Sequence, residues 1–105
     1  MKHSDHTYDL ADALLALKTT DECVRFLSDL CTPQEIEALQ ERWRVCQLLN
    51  QGELSYREIQ EKTEVGLVTI TRVARFLKDE NNNGYKIILN RLTKTGKKSC
   101  KKSSP

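Results

Sequence analysis

A short basic segment in the middle of the chain carries the side chains best suited to contact a nucleic acid. Between Gly66 and Lys78 the sequence holds two arginines and one lysine and no acidic residue. If the segment is helical, at about 100° per residue, it has one apolar face and one mixed face. The apolar face would contain Ile70, Val73, Ala74 and Leu77, and the opposite face Val68, Thr71, Arg72 and Arg75. Hydroxyl, guanidinium and small apolar groups contact phosphates, base edges and thymine methyl groups in DNA complexes. An ordinary helix with a solvated basic face would show the same periodicity.

The residues before this segment predict the first helix of a helix-turn-helix motif. Ser55 is followed three residues later by Glu58, the pattern of a capping box, so we expect a helix to begin there. Ile59 is its predicted buried residue. The helix should end near Glu64 to Gly66, where we expect the glycine to supply backbone angles that β-branched residues resist. Two short helices with a tight turn, the second basic, match the form that enters a DNA major groove.

Helical periodicity extends through the rest of the chain, without strand alternation or an internal repeat. The other four predicted helices cover about residues 4–18, a segment that starts at Thr19, a segment from Thr32 to about Asn50, and a short segment marked by the apolar residues Tyr85, Ile88, Leu89 and Leu92. Thr19 with Glu22, and Thr32 with Glu35 and the intervening proline, have the spacing of capping boxes at two of these helix starts. Together with the motif, they predict an all-α fold of six short helices.

The third predicted helix has apolar residues on two sides. Ile36, Leu39, Trp43 and Cys46 share one side, while Ala38, Val45 and Leu49 lie almost opposite. The surface helix of a monomer needs only one apolar stripe, so we infer burial on both sides in an intertwined homodimer. The alternative is that Ala38 and Val45 are small residues exposed to solvent.

Charge is distributed unevenly along the 105 residues, which suffice for one domain. The formal net charge is +2, yet residues 94–105 hold five lysines and no acid, which leaves 12 basic and 15 acidic residues in 1–93. We expect residues 1–93 to form one helical domain and 94–105 to form a disordered basic tail. DNA binding would then depend on a local basic patch rather than on bulk charge, with the tail as a possible helper.

Several classes of function are disfavoured by what the sequence lacks. Its four cysteines show no C-x-x-C pairing, so we expect no metal site and a reduced, cytoplasmic protein. No carboxylate pair, nucleophile elbow or phosphate-binding glycine loop is found, so neither an enzyme nor a cofactor is expected. The apolar run at residues 13–17 is far shorter than the roughly 20 residues that a membrane span requires.

The combined motifs resemble the tryptophan repressor superfamily. The resemblance is carried by Thr32-Pro33-Gln34-Glu35, Arg42, Gly52-Glu53-Leu54-Ser55-Tyr56-Arg57-Glu58-Ile59 and Gly66-Leu67-Val68-Thr69-Ile70-Thr71-Arg72. The Tyr56-Arg57-Glu58-Ile59 form and Asn82-Asn83-Gly84-Tyr85 are most similar to the YerC/YecD branch. The resemblance covers roughly residues 31–92 and implies an interlocked homodimer that binds operator DNA and represses transcription.

The resemblance also implies which residues face the DNA. By position they are Tyr56, Arg57, Gln60, Leu67, Val68, Thr69, Thr71 and Arg72. Glu64 departs from the family, whose repressors often have glycine in that turn.

The position of the amino-acid pocket of the tryptophan repressor can be located in the same way. Its two arginines and its threonine match Arg42, Arg72 and Thr32. A glycine and a serine of that pocket are replaced here by Val73 and Phe76, and inserted bulk in a packed site commonly costs about 1–3 kcal/mol. We therefore expect a vestigial pocket that the protein fills itself, and no need for tryptophan; a repacked pocket for another small effector is the alternative.

The predicted function is that of a sequence-specific DNA-binding regulator, a repressor by resemblance, that acts as a homodimer on an inverted repeat. The alternative is a helix-turn-helix interaction module that binds another protein or RNA, because a fold does not fix a function.

Overall fold

The computed structural model describes residues 8–78 and 82–94. All regular elements within these residues are α-helices, which confirms the all-α prediction. They are α1 (Leu10–Ala16), α2 (Thr20–Leu30), α3 (Pro33–Gln51), α4 (Tyr56–Thr63), α5 (Leu67–Lys78) and α6 (Gly84–Lys94). Contacts divide the chain into two units, Met1–Ala38 and Leu39–Pro105, which are described separately below. The predicted tail after Lys94 lies outside the described residues.

α1 ends at Ala16, two residues before the predicted end at Lys18, and residues 4–7 of the predicted helix lie outside the described residues. Leu17 has an extended backbone, and Thr19, two residues later, is already the N-cap of α2. Thr19 accepts a hydrogen bond from the backbone N–H of Glu22 at 3.1 Å, as predicted. The Glu22 carboxylate, however, accepts from the N–H of Lys18 at 2.8 Å rather than from that of Thr19. The expected capping box is therefore only half formed.

The other two predicted capping boxes are complete. The Glu35 carboxylate accepts from the N–H of Thr32 at 2.8 Å, and the Thr32 hydroxyl accepts from the N–H of Glu35 at 3.1 Å. The Glu58 carboxylate likewise accepts from the N–H of Ser55 at 2.8 Å, and the Ser55 hydroxyl accepts from the N–H of Glu58 at 3.1 Å. Each pair satisfies two N–H groups that the first turn of a helix otherwise leaves without partners. The starts of α3 and α4 are therefore fixed locally.

The first unit does not bury any of its described residues. Its most exposed large apolar side chains are Tyr8 at 82%, Leu15 at 85% and Val24 at 57%, whereas Phe26 and Leu27 are half-buried. The apolar faces of α1 and α2 are thus only partly covered in the single chain.

The second unit contains the hydrophobic core. α5 packs against both α4 and α6. The core consists of Val45, Cys46, Ile59, Val65, Ile70, Val73, Leu77 and Leu89, against which Trp43, Leu48, Leu49, Leu54 and Tyr85 pack. The four residues predicted for the buried face of α5 are all buried, including Ala74 at 4% exposure. That prediction is confirmed.

One prediction about the apolar faces in this unit was wrong. Val45 and Cys46 were assigned to opposite sides of α3, yet both are fully buried in the same core. Neighbouring helical residues differ by only about 100°, so one broad core surface can take both, and Val45 does not itself require a second chain. In α6, Leu89 is buried, whereas Ile88 and Leu92 are each 45% exposed. The predicted last helix is thus present, and the single chain buries Leu89 on it while Ile88 and Leu92 stay partly exposed.

Candidate nucleic-acid interface

The turn between α4 and α5 depends on Glu64 rather than on the glycine that follows it. Glu64 has φ 62° and ψ 21°, the left-handed conformation, and its N–H donates to the carbonyl of Gln60 at 2.8 Å. Gly66 does not have a positive φ. The prediction that Gly66 supplies the unusual backbone angles was therefore wrong. The Gly66 carbonyl instead accepts the first hydrogen bond of α5, from the N–H of Ile70 at 3.2 Å.

The same turn is stabilised by the buried side chain of Val65 and by the hydroxyl of Thr63. Val65 is 2% exposed and belongs to the core. The Thr63 hydroxyl donates to the Ile59 carbonyl at 2.7 Å and accepts from the Val65 N–H at 3.2 Å. Because Ile59 of α4 and Ile70 of α5 are both fully buried in this core, the two helices are fixed relative to each other.

The outward face of α5 presents a mixed surface to solvent. Leu67, Val68, Thr71, Arg72 and Arg75 line a shallow depression of about 470 Å³, which we call the reading surface. Of the residues predicted on α5, Thr69 alone lies outside it and is half-buried. Arg75 is the member of this surface that was missing from the predicted DNA-contacting set. The sequence could have indicated it, because helical periodicity places Arg75 on the mixed face of the predicted helix.

The residues predicted on α4 are all exposed. Tyr56 is 38% exposed, and Gln60 is exposed as well. The Arg57 side chain is 88% exposed, and its Nε lies 3.8 Å from a carboxylate oxygen of Glu61. An exposed pair at that distance contributes at most about 1 kcal/mol, so a phosphate can displace the carboxylate.

Two guanidinium groups contact the aromatic ring of Phe76. The Cζ atom of Arg72 lies 4.6 Å from the ring centroid, and that of Arg75 lies 5.5 Å away. Cation–π contacts at exposed sites are worth about 0.5–1 kcal/mol. The two guanidinium groups at Phe76 belong to residues about one to two turns beyond Val68 along α5.

A second concavity, of about 330 Å³, lies beside the motif. It is lined by Arg42, Arg72, Phe76, Asn82, Gly84 and Tyr85, which we call the arginine cavity. Three of the five residues predicted for a vestigial pocket are thus brought together. Val73 points into the core instead and is 1% exposed, and Thr32 caps α3 in the first unit.

The contribution of α6 to this cavity was not foreseen. Tyr85 was predicted only as an apolar residue of the last helix, and the Asn82-Asn83-Gly84 turn was the one local signal. Burial raises the pKa of Tyr85, and so does the neighbouring Cys46, whereas Arg42 and Arg72 act in the opposite direction. The phenol therefore stays neutral near pH 7. The cavity lining carries two positive charges and no acidic side chain.

Neither a metal site nor a membrane span is found in the part of the chain that the structure describes. Within residues 8–78 and 82–94, no three His, Cys, Asp or Glu side chains are grouped so that they could hold a metal ion. No helix among the same residues is long and apolar enough to cross a bilayer.

Comparison with known proteins identifies the family. Residues 5–93 match the family model described as Trp repressor protein. The chain belongs to the Trp repressor family. It is 38% identical over 93 residues to YerC of Bacillus subtilis, covering 89% of this chain and 88% of that protein. It is thus a helix-turn-helix, DNA-binding transcription regulator of the YerC-like branch, which confirms the resemblance.

Further relatives agree with the fold and with the motif. A Trp operon repressor homolog of Aliivibrio salmonicida is 44% identical over 57 residues, about half of either chain. A TrpR-like protein from Eubacterium eligens superposes with a TM-score of 0.74 at 39% identity, over 80% of this chain and 84% of that chain. The fold of this chain is therefore TrpR-like.

Proposed function

We propose that the protein is a sequence-specific repressor that binds operator DNA through the reading surface of α5, with Tyr56, Arg57 and Gln60 of α4 beside it. The observation that carries this proposal is the exposure of Val68, Thr71 and both arginines on one face of a helix whose opposite face is buried. These exposed side chains do not contribute to the core. Their chemistry suits contacts with phosphates and base edges. Because the proposed target is DNA, we also propose that the protein acts in the cytoplasm.

Competition binding between a selected operator and random DNA, at several salt concentrations, tests this proposal. Affinity should fall steeply as salt rises, because lysines and arginines displace condensed counterions. Thr71→Ala should reduce the preference for the operator by about 1–3 kcal/mol if it removes a base contact. Thr20→Ala makes the same chemical change at an exposed position of α2 and should leave the preference unchanged. Binding to RNA or protein but not to DNA would contradict the proposal.

We further propose that the protein acts as a homodimer in which the second copy covers the exposed apolar faces of the first unit. Support comes from the absence of any buried residue in the described part of that unit, together with the exposure of Leu10, Leu14 and Leu30 by 45–52%. The operator should then be an inverted repeat with half-site centres about 34 Å apart. Sedimentation at micromolar concentration should give a dimer, and a compact monomer throughout that range would contradict this.

We also propose that tryptophan is not required for DNA binding. Phe76 lines the arginine cavity and stacks against Arg72, so an aromatic ring of the protein already occupies part of the space that the resemblance assigns to an indole. Calorimetry with millimolar tryptophan should give no saturable heat, and operator affinity should not change when tryptophan is added. A saturable heat would mean that the remaining volume accepts the ligand, and the proposal would fail.

A further inference from the structure

The first turn of α5 exposes two aliphatic side chains that the fold does not use. Val68 is 84% exposed and Leu67 is 49% exposed. Single exposed apolar residues are common on protein surfaces, so exposure alone decides nothing. These two, however, line the reading surface together with Thr71 and two arginines. A β-branched residue is also a poorer choice than alanine or a long polar residue at an exposed helical position.

The first five residues of α5 lack every side chain that identifies a purine by paired hydrogen bonds. They are Leu67, Val68, Thr69, Ile70 and Thr71. Bidentate contacts to guanine come from arginine or lysine, and those to adenine from asparagine or glutamine. The nearest arginine, Arg72, is engaged with the ring of Phe76 at 4.6 Å. The N-terminal part of the helix therefore offers aliphatic groups and one exposed hydroxyl.

The N-terminal residues of a recognition helix are the ones that contact base edges in helix-turn-helix complexes. Among the groups that base pairs expose in the major groove, the 5-methyl group of thymine is the apolar one. Arg75 follows Val68 by seven residues, which is about 10 Å along the axis at 1.5 Å per residue. The guanidinium groups can thus reach phosphates while the first turn faces the bases.

We propose that Val68, with Leu67 beside it, selects the operator by contact with a pyrimidine 5-methyl group in each half-site. This inference rests on the proposed DNA-binding function and adds the base feature that is recognised. The same chemistry is offered by thymine and by 5-methylcytosine.

The test begins with selection of the operator from a random DNA library by the full-length protein. Each thymine of the selected site is then replaced by deoxyuridine, which removes only the methyl group. We expect one or two positions per half-site at which affinity falls by about fourfold, the factor that corresponds to burial of one methyl group. An operator with cytosine at such a position should also bind poorly. An operator with 5-methylcytosine there should bind as well as the thymine operator if the methyl group alone is recognised. If affinity is high with thymine but is not restored by 5-methylcytosine, the contact is assigned to thymine.

Variants then locate the contact on the protein. Val68→Ala should reduce the difference in affinity between the thymine and deoxyuridine sites, because it removes the two γ-methyl groups, and it should fold, because alanine is the better helix former at an exposed position. Arg75→Ala is the control: it should weaken binding to both sites and preserve their ratio. Specific operator binding without any deoxyuridine effect, or a deoxyuridine effect of undiminished size in Val68→Ala, would overturn this inference and leave the proposed function intact. Failure to enrich any DNA sequence would overturn both.

Discussion

Replacement of Glu64 by glycine should stabilise the protein, because Glu64 adopts the left-handed conformation at the motif turn. Its φ is 62° and its ψ is 21°. For a residue with a β-carbon this conformation costs about 1–2 kcal/mol. Glycine avoids that cost but loses about 0.5–1 kcal/mol more backbone entropy on folding. The difference between the central values predicts that Glu64→Gly raises the free energy of unfolding by about 0.8 kcal/mol.

Urea denaturation at one fixed protein concentration measures this change, since oligomerisation makes apparent stability depend on concentration. Two controls separate backbone strain from charge. Glu64→Gln keeps the β-carbon and removes the charge, so it should give no comparable gain. Gly52 has φ +72° and open space around the position of a β-carbon, so Gly52→Ala should destabilise through the backbone alone. The reasoning is refuted if Glu64→Gln gains as much as Glu64→Gly, or if Gly52→Ala is neutral.

Three further changes test the caps, the core and the tail. Ser55→Ala should lower the free energy of unfolding by about 1 kcal/mol through loss of the α4 cap, whereas Ser28→Ala, at an exposed position within α2, should change it by less than about 0.5 kcal/mol. Burial raises the pKa of Cys46 from 9.0 to about 11, so the folded state holds this proton more tightly than the unfolded state. The stability that the protonated thiol provides is complete below pH 9 and is lost as the pH rises toward 11. In urea titrations, the free energy of unfolding of Cys46→Ala should therefore fall less between pH 9 and pH 11 than that of the wild type. An equal fall in both proteins would contradict the raised pKa of Cys46. Deletion of residues 94–105 removes five lysines, so the salt dependence of DNA binding should become shallower while operator preference survives in competition assays.

Features that depend on neighbours in sequence were predictable, because their causes are local. The capping boxes at Thr32 and Ser55 need only a hydroxyl and a carboxylate three residues apart, and both are formed. The buried face of α5 follows from helical periodicity, and α4 and α6 cover that face. The bond from Lys18 to Glu22 is local as well, yet the residue pattern alone does not decide which N–H the carboxylate accepts.

Features that depend on distant residues could not be predicted in the same way. Whether Val45 faces a second chain or its own core is decided by α4, α5 and α6, which lie later in the sequence. The arginine cavity likewise combines residues of α3, α5 and α6. The resemblance located its two arginines, but it also assigned Val73 to the cavity, where helix rotation places that side chain in the core. Tyr85 occupies the cavity wall instead.

Arg72 belongs to both the arginine cavity and the reading surface. Its guanidinium is held over Phe76 by a contact worth about 0.5–1 kcal/mol, which a phosphate or a ligand anion can match. If the reading surface binds DNA as proposed, occupation of the cavity would therefore affect that binding through the Arg72 side chain. For the same reason, Arg72→Ala would alter both surfaces at once and could not assign an effect to either. Substitutions at Val68 and Thr71 are the sharper tests, because these residues line the reading surface and not the cavity.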